Sequence, residues 1–386
     1  MWRNLASNLL TVLIVALVAV AALIGWGQRQ YVAEGPLTEP ICLQVPRGGS
    51  MARVAEDLAA QGAITNATIY RLGASYSGKS PALKAGAFLI EEGTSMAEIL
   101  DEITGDGLST CGTEIVYLIA VNGQTKRVRE LNPTSQEFEI TAEFDPKDEG
   151  EVPAQYTEAL EDVATRIRVV VVEGVTSWQV VEGLRASDLF EGEVAGIPEE
   201  GSLAPDGYEI RPGMDRATFL ADMSATQARI LEAAWEARSA DSPVETPEEA
   251  LVLASIIEKE TAISEERTLV ASVFANRLKK GIKLQTDPTV IYGVTEGKSV
   301  LGRGLRQSEL RAPTPWNTYV IEGLPPTPIA NPGKASIEAA LNPAESDFIF
   351  FVAKSLDPRD GHNFAVTLDE HNRNVAAYRA LERASQ

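Results

Sequence analysis

Residues 45–58 read VPRGGSMARVAEDL, and the same grammar returns at 90–103 (IEEGTSMAEILDEI), 171–184 (VVEGVTSWQVVEGL) and 210–223 (IRPGMDRATFLADM). A β-branched residue (Val45, Ile90, Val171, Ile210) is followed by Gly48, Gly93, Gly174 or Gly213, then by Ser50, Ser95, Thr176 or Asp215. Apolar residues come four places later (Val54, Ile99, Val180, Phe219) and four later again (Leu58, Ile103, Leu184, Met223). The pattern describes a strand ending, a glycine turn, an N-capped helix and an i, i+4 apolar stripe. The copies are too unevenly spaced for a solenoid. They predict small α+β modules.

Residues 113–131, TEIVYLIAVNGQTKRVREL, set Asn122-Gly123 between two β-rich arms, a strong hairpin signal. Residues 137–144, EFEITAEF, alternate like a half-buried strand, and the acidic 145–153 reads as a solvated loop. Together these predict a β-rich insertion or small separate lobe.

The chain has 386 residues, 44% hydrophobic and 23% charged, enough apolar content for real cores. Acidic residues outnumber basic ones 55 to 34, a net charge of −21, which argues against nucleic-acid partners. Two cysteines exclude a four-cysteine metal site, and two histidines make a histidine-rich one improbable.

No charged residue falls between Arg3 and Arg29, and Leu9 to Trp26 form an 18-residue, almost purely aliphatic run. That length suits a membrane-crossing helix better than the shorter core of a cleaved signal peptide. Trp2, Trp26 and Tyr31 stand where an aromatic belt forms. A retained single-pass anchor in the inner membrane is expected, with the rest of the chain in the periplasm. In that oxidising compartment Cys42 and Cys111 either pair or stay as two buried thiols.

From about 240 the texture changes. Thr246 and Pro247 open a helix running through 250–262, ALVLASIIEKETA, and a second spans about 265–280 and stops at Gly281. Asp287-Pro288 reads as another cap and start. Residues 311–333 hold six prolines and two glycines, a loop long enough to be functional. Strands at 348–353 and 363–367 and a helix over about 369–383 close the chain.

One carboxylate is out of pattern. With the helical phase set from Leu253, Glu260 falls between Ile256 and Ile257 on one side and Ile263 and Ser264 on the other; Glu258 and Lys259 fall to the sides. A carboxyl desolvated this way has a raised pKa and holds a proton near neutrality, as a general acid must. The competing reading is an ion pair with Arg277 or another base that knits helices together. Residues 293–299, GVTEGKS, fall one residue short of a P-loop and read as a surface loop. Gly73 opens GASYSG, which lacks the second glycine of a nucleophile elbow. His362, Asp369 and His371 lack zinc-site spacing and read as polar structure or a site wall. No metal, nucleotide or other cofactor is expected.

Residues 253–262 (LASIIEKETA), 272–293 (SVFANRLKKGIKLQTDPTVIYG), 314–343 (TPWNTYVIEGLPPTPIANPGKASIEAALNP) and 361–375 (GHNFAVTLDEHNRNV) closely resemble the MltG (YceG-like) endolytic murein transglycosylases. Upstream, 171–184 and 200–210 resemble that family's middle region, and 45–64 with 83–100 resemble its LysM-like module. Residues 111–165 depart from the pattern.

The resemblance implies a lyase that cuts peptidoglycan strands between N-acetylmuramic acid and N-acetylglucosamine and leaves a 1,6-anhydromuramoyl end, terminating strand elongation. A hydrolase normally needs two carboxylates. In the lytic route one glutamic acid gives a proton and takes one back. The catalytic glutamate carries over to Glu260, whose pairing with Thr261 is similar to the Glu-Ser pair of soluble lytic transglycosylases; Glu258 is the fallback. Glu258, Gln285, Thr286, Asn317 and Tyr319 are expected to contact substrate, with Thr318 beside them. The implied partners are glycan strands, the membrane and peptidoglycan synthases (penicillin-binding proteins). The expected architecture is α+β: an anchor at 1–30, a LysM-like module at 40–108, the β-rich insertion at 109–165, a linking α+β module at 166–235 and a mixed α+β catalytic domain at 236–386. The rival from another class is a non-catalytic, glycan-binding scaffold of the wall-synthesis machinery.

Overall fold

A computed structural model describes residues 2–105, 110–148, 150–162 and 164–385, with side chains from residue 8 onward. The side chains of Trp2 and Arg3, and the expected module boundary at 108/109, lie outside the described residues. The fold is mixed α+β and begins with an apolar helix, Trp2–Val32. Within its stretch Asn8–Val32 an 18-residue window reaches a mean hydropathy of 2.8, and none of that window is buried in the protein. At 1.5 Å per residue that stretch is about 37 Å long, more than a hydrocarbon core requires.

All four copies of the repeat fold as their residues require. Each glycine adopts the left-handed conformation, with φ of 72° at Gly48, 70° at Gly93, 79° at Gly174 and 79° at Gly213. Each following cap side chain accepts a backbone N–H: Ser50 from Arg53, Ser95 from Glu98, Thr176 from Gln179 and Asp215 from Thr218. The eight stripe residues are at most 2% exposed.

The chain divides into two compact units. The first comprises Met1–Val116, Arg127–Phe144 and Gly150–Ile167. Here strands Ile41–Val45 and Gly86–Ile90 pair antiparallel, with Cys42 opposite Leu89. Leu43, Val54, Leu58, Tyr70, Phe88 and Ile99 form the core, and Tyr31, from the end of the apolar helix, packs against it. Gly73 lies against the Tyr31 ring, where a Cβ would stand 2.3 Å from a ring carbon, so no larger residue fits. Cys42 and Cys111 are disulfide-bonded with Cα atoms 5.8 Å apart, which settles the choice the sequence leaves open.

The second unit comprises Tyr117–Lys126, Asp145–Glu149 and Arg168–Gln386. Leu253, Ile256, Ile257, Val270, Phe274 and Leu284 belong to its core. The helix Pro247–Glu260 ends at Glu260, because Thr261 turns extended as its C-cap. Ile263 and Ser264 therefore do not continue its apolar face, a correction to the periodic reading. A 3-10 turn, Ser264–Glu266, leads into Arg267–Lys279, and Gly281 follows at φ 64°.

The Asn122-Gly123 hairpin forms, but not as a separate lobe. Its strands lie in a five-stranded sheet ordered Phe138–Phe144, Gly123–Leu131, Thr113–Ala120, Arg166–Val171 and Gly207–Ile210. The alternating strand Phe138–Phe144 is an edge, not half-buried, and Ile140 is 55% exposed. Its aromatics find local cover instead: the Arg129 guanidinium lies 4.2 Å from the Phe138 ring centroid, and Phe144 meets Tyr156 edge-on at 5.2 Å.

Candidate active site

Thr246 caps the N-terminus of the helix that carries Glu260, with Pro247 at its first position. Residues 252–257 are buried, and Glu260 stands half-buried at the last helical position. Facing it is the segment 284–287. Gln285 holds φ 49°, a left-handed conformation unusual outside glycine, and this turns the buried Thr286 toward the carboxyl. The Thr286 hydroxyl donates to Oε1 of Glu260. Thr286 in turn donates its N–H to Oγ1 of Thr318 at 3.0 Å, and the Thr318 and Thr289 hydroxyls lie 2.8 Å apart. Thr286, Thr289 and Thr318 are at most 3% exposed, so the polar chain behind Glu260 is fixed by packing.

Burial pushes the Glu260 carboxyl up to about 7, helped by the nearby Asp287 charge and opposed by the Thr286 hydrogen bond and the Arg277 charge. A carboxylate at a helix C-terminus is further disfavoured by the negative end of the helix dipole. The ion-pair alternative does not hold: Arg277 donates to the carbonyls of Ile349 at 2.7 Å and Leu284 at 2.6 Å. Among the described residues it makes no ion pair with Glu260. Such a carboxyl can release a proton near neutrality and take one back.

The other expected site residues divide. Tyr319 donates its hydroxyl to Asp287 at 2.6 Å, and burial raises its pKa. Gln285 is exposed beside the site, with its backbone N–H held by the Thr318 carbonyl at 3.2 Å. Thr286 is enclosed and holds Glu260; it does not face solvent as a substrate contact would. Nor does the Asp287-Pro288 cap form as read: Thr286 occupies the N-cap position, and its side chain serves Glu260 instead of the helix.

Asn317 and Glu258 are both held in hydrogen bonds to the backbone. Asn317 is fully buried and donates its amide to the carbonyls of Glu309, Leu310 and Ala312. Its Oδ1 accepts the Tyr319 N–H at 3.0 Å, so this enclosed side chain organises the proline-rich loop. Glu258 accepts the Gly333 N–H at 2.9 Å. The Glu173 carboxyl lies against Gly333, where an added Cβ would stand 1.8 Å from its oxygen, so that side chain would have to shift to admit a larger residue.

The sequence did not reveal Asn331. Fully buried, it accepts from the Leu203 N–H at 3.0 Å and donates to the Val175 carbonyl at 3.0 Å. Glu200 was missed too; its carboxyl accepts from the Ser177 N–H at 2.8 Å and the Tyr292 hydroxyl at 3.2 Å. Lys259 and Pro288, chain neighbours of Glu260 and Asp287, line a cavity of about 280 Å³ with Thr176, Tyr292 and Ile329; Glu260 is not among its lining residues. Residues 293–299, read as a surface loop, are enclosed only at Gly297, whose carbonyl accepts from Thr176 at 2.6 Å.

His362 pairs with Glu266 at 2.9 Å, and His371 stacks on Phe350 at 4.9 Å. Among the described residues, no three His, Cys, Asp or Glu side chains gather as a metal site.

Residues 147–377 match the YceG-like family. The chain is 28% identical over 346 residues to the endolytic murein transglycosylase of Bacillus subtilis, spanning 87% of this chain and 84% of that protein. It is 25% identical to the endolytic murein transglycosylase of Streptococcus pneumoniae D39, spanning 88% of this chain but 58% of that protein. A crystal structure of a yceG-like protein from Listeria monocytogenes superposes with a TM-score of 0.46 at 24% identity, covering 87% of this chain and 98% of that one. With more than half of its length matched by the family, the chain belongs to the YceG-like family.

Proposed function

We propose that the protein is a peptidoglycan lytic transglycosylase, a lyase that cuts glycan strands endolytically and leaves 1,6-anhydromuramoyl ends. The observation that carries this reading is Glu260: one carboxyl, held up near 7, in no ion pair among the described residues and gripped by a buried hydroxyl. The names of the two relatives support the same substrate class.

In the proposed reaction the protonated Glu260 donates to the glycosidic oxygen as the bond from muramoyl C1 to that oxygen breaks. The carboxylate left behind takes the proton of the C6 hydroxyl, and O6 closes on C1. The proton returns to Glu260, and no water is consumed. Thr286 holds the carboxylate between the two transfers. Gln285 and Tyr319 are the accessible candidates for contacting the sugars.

The apolar helix supports a single-pass anchor, with the rest of the chain in the periplasm and the catalytic domain at 236–386. In this reading the LysM-like module at 40–108 binds N-acetyl groups along the strand, the sheet region at 109–165 and the module at 166–235 connect it to the catalytic domain, and cleavage near the membrane ends nascent strands beside their synthases. Incubating the detergent-solubilised full chain with purified peptidoglycan and analysing the products by mass spectrometry tests the proposal. Anhydro-muropeptides are expected; only reducing ends, or no cleavage, would refute it.

A further inference from the structure

A groove of about 670 Å³ opens in the second unit beside the helices Arg216–Glu236, Arg267–Lys279 and Lys334–Leu341. Its floor is small and apolar, including Ala233, Ala234, Ala335 and Ala339. Its charged lining is chiefly cationic: Arg229, Arg267 and Lys334 against a single acid, Glu338, which pairs with Lys334 at 3.6 Å. That balance is the reverse of a chain carrying −21.

Arg267 is the unusual member. It is only 9% exposed, and its Nε is buried without a hydrogen-bond partner. Glu173 feels its charge but forms no ion pair with it among the described residues. A buried guanidinium N–H lacking an acceptor is costly, and the planar donors of the group match a carboxylate. Arg267 begins seven residues beyond Glu260, within roughly 23 Å along even a fully extended chain.

We propose that this groove binds a carboxylate-bearing peptide with small side chains, namely the stem that hangs from a peptidoglycan strand. The proposal rests on reading the chain as a strand-cleaving enzyme. The alanine floor admits a peptide backbone and methyl groups, and Arg267 receives the carboxylate with Arg229 at the rim.

The test uses full-length Glu260→Gln protein in detergent micelles, so that ligand is bound but not cut. Titration compares a muramoyl disaccharide carrying its tetrapeptide with the same disaccharide stripped of peptide. The stem-bearing ligand should bind roughly tenfold tighter or better, the scale of one charge-assisted hydrogen-bond pair. Adding Arg267→Gln, or Arg229→Gln at the exposed rim, should narrow that gap. Equal binding of both ligands, or a gap unmoved by either substitution, overturns the proposal. So does displacement of the stem by inorganic phosphate at equal concentration, which would mark a general anion site. If wild-type protein releases no anhydro ends while the stem-dependent gap persists, the catalytic reading fails and the groove assignment stands.

Discussion

Thr286 donates its hydroxyl to Glu260 from 26 residues along the chain, and both side chains reach the same point because the helix ends at Glu260 and the backbone at Gln285 turns left-handed. The bond favours the charged form, while burial favours the neutral one and is the larger effect. The carboxyl therefore sits where both protonation states are accessible near neutral pH.

Replacing Thr286 by Val removes the donor and keeps the shape. The carboxyl should then titrate at higher pH, and the alkaline limb of the pH–rate profile should move the same way. Turnover should fall about tenfold or more, the scale of one hydrogen bond to a charged group. An unmoved profile would mean that the hydroxyl does not tune Glu260.

The raised carboxyl also predicts a pH-dependent stability. Its pKa is about 7 in the folded chain against 4.5 ordinarily, so the native state holds the proton more tightly. The stabilisation is complete below about 4.5 and lost as pH rises through about 7, a change of roughly 3 kcal/mol at most. Thermal unfolding of wild-type protein should drop relative to Glu260→Gln between pH 5 and pH 8. Parallel curves would contradict the assigned shift.

The repeat was legible because everything it needs is local: a glycine turn, a cap three residues from its donor and a four-residue stripe. Glu260 stood out for the same reason, as an acid in an apolar phase. The helix end at Thr261 was not legible, since only its extended backbone stops the pattern there. Nor were the roles of Thr286, Asn317 and Asn331. Thr286 meets Glu260 across 26 residues, and Asn331 meets Ser177 across 154, distances at which sequence spacing carries no signal. Asn317 was read as a ligand contact because a buried loop organiser and an exposed sugar binder use the same amide.

That amide gives a further prediction. Asn317→Ala leaves three carbonyls without their donor and should cost about 2–3 kcal/mol. Limited proteolysis should then cut within 311–333 faster than in wild-type protein. Unchanged resistance would return Asn317 to the ligand-facing group.

The disulfide closes a loop with a sequence separation of 69 residues in the first unit. Cys42→Ser with Cys111→Ser should destabilise that unit by about 2–4 kcal/mol. Denaturant unfolding followed at the core residue Tyr70 would register the loss. An unchanged midpoint would show that the bridge adds nothing to the packing beneath it.

The most direct measurement is the yield of anhydro-muropeptides from purified peptidoglycan treated with wild-type, Glu260→Gln and Glu258→Gln protein, each first shown to be folded. Glu260→Gln should lose at least 10²-fold in turnover, the low end for acid–base catalysis. Glu258→Gln should lose far less, because its amide oxygen can still accept the Gly333 N–H. A dead Glu258→Gln with an active Glu260→Gln would reverse the assignment, and full activity in both would contradict the account.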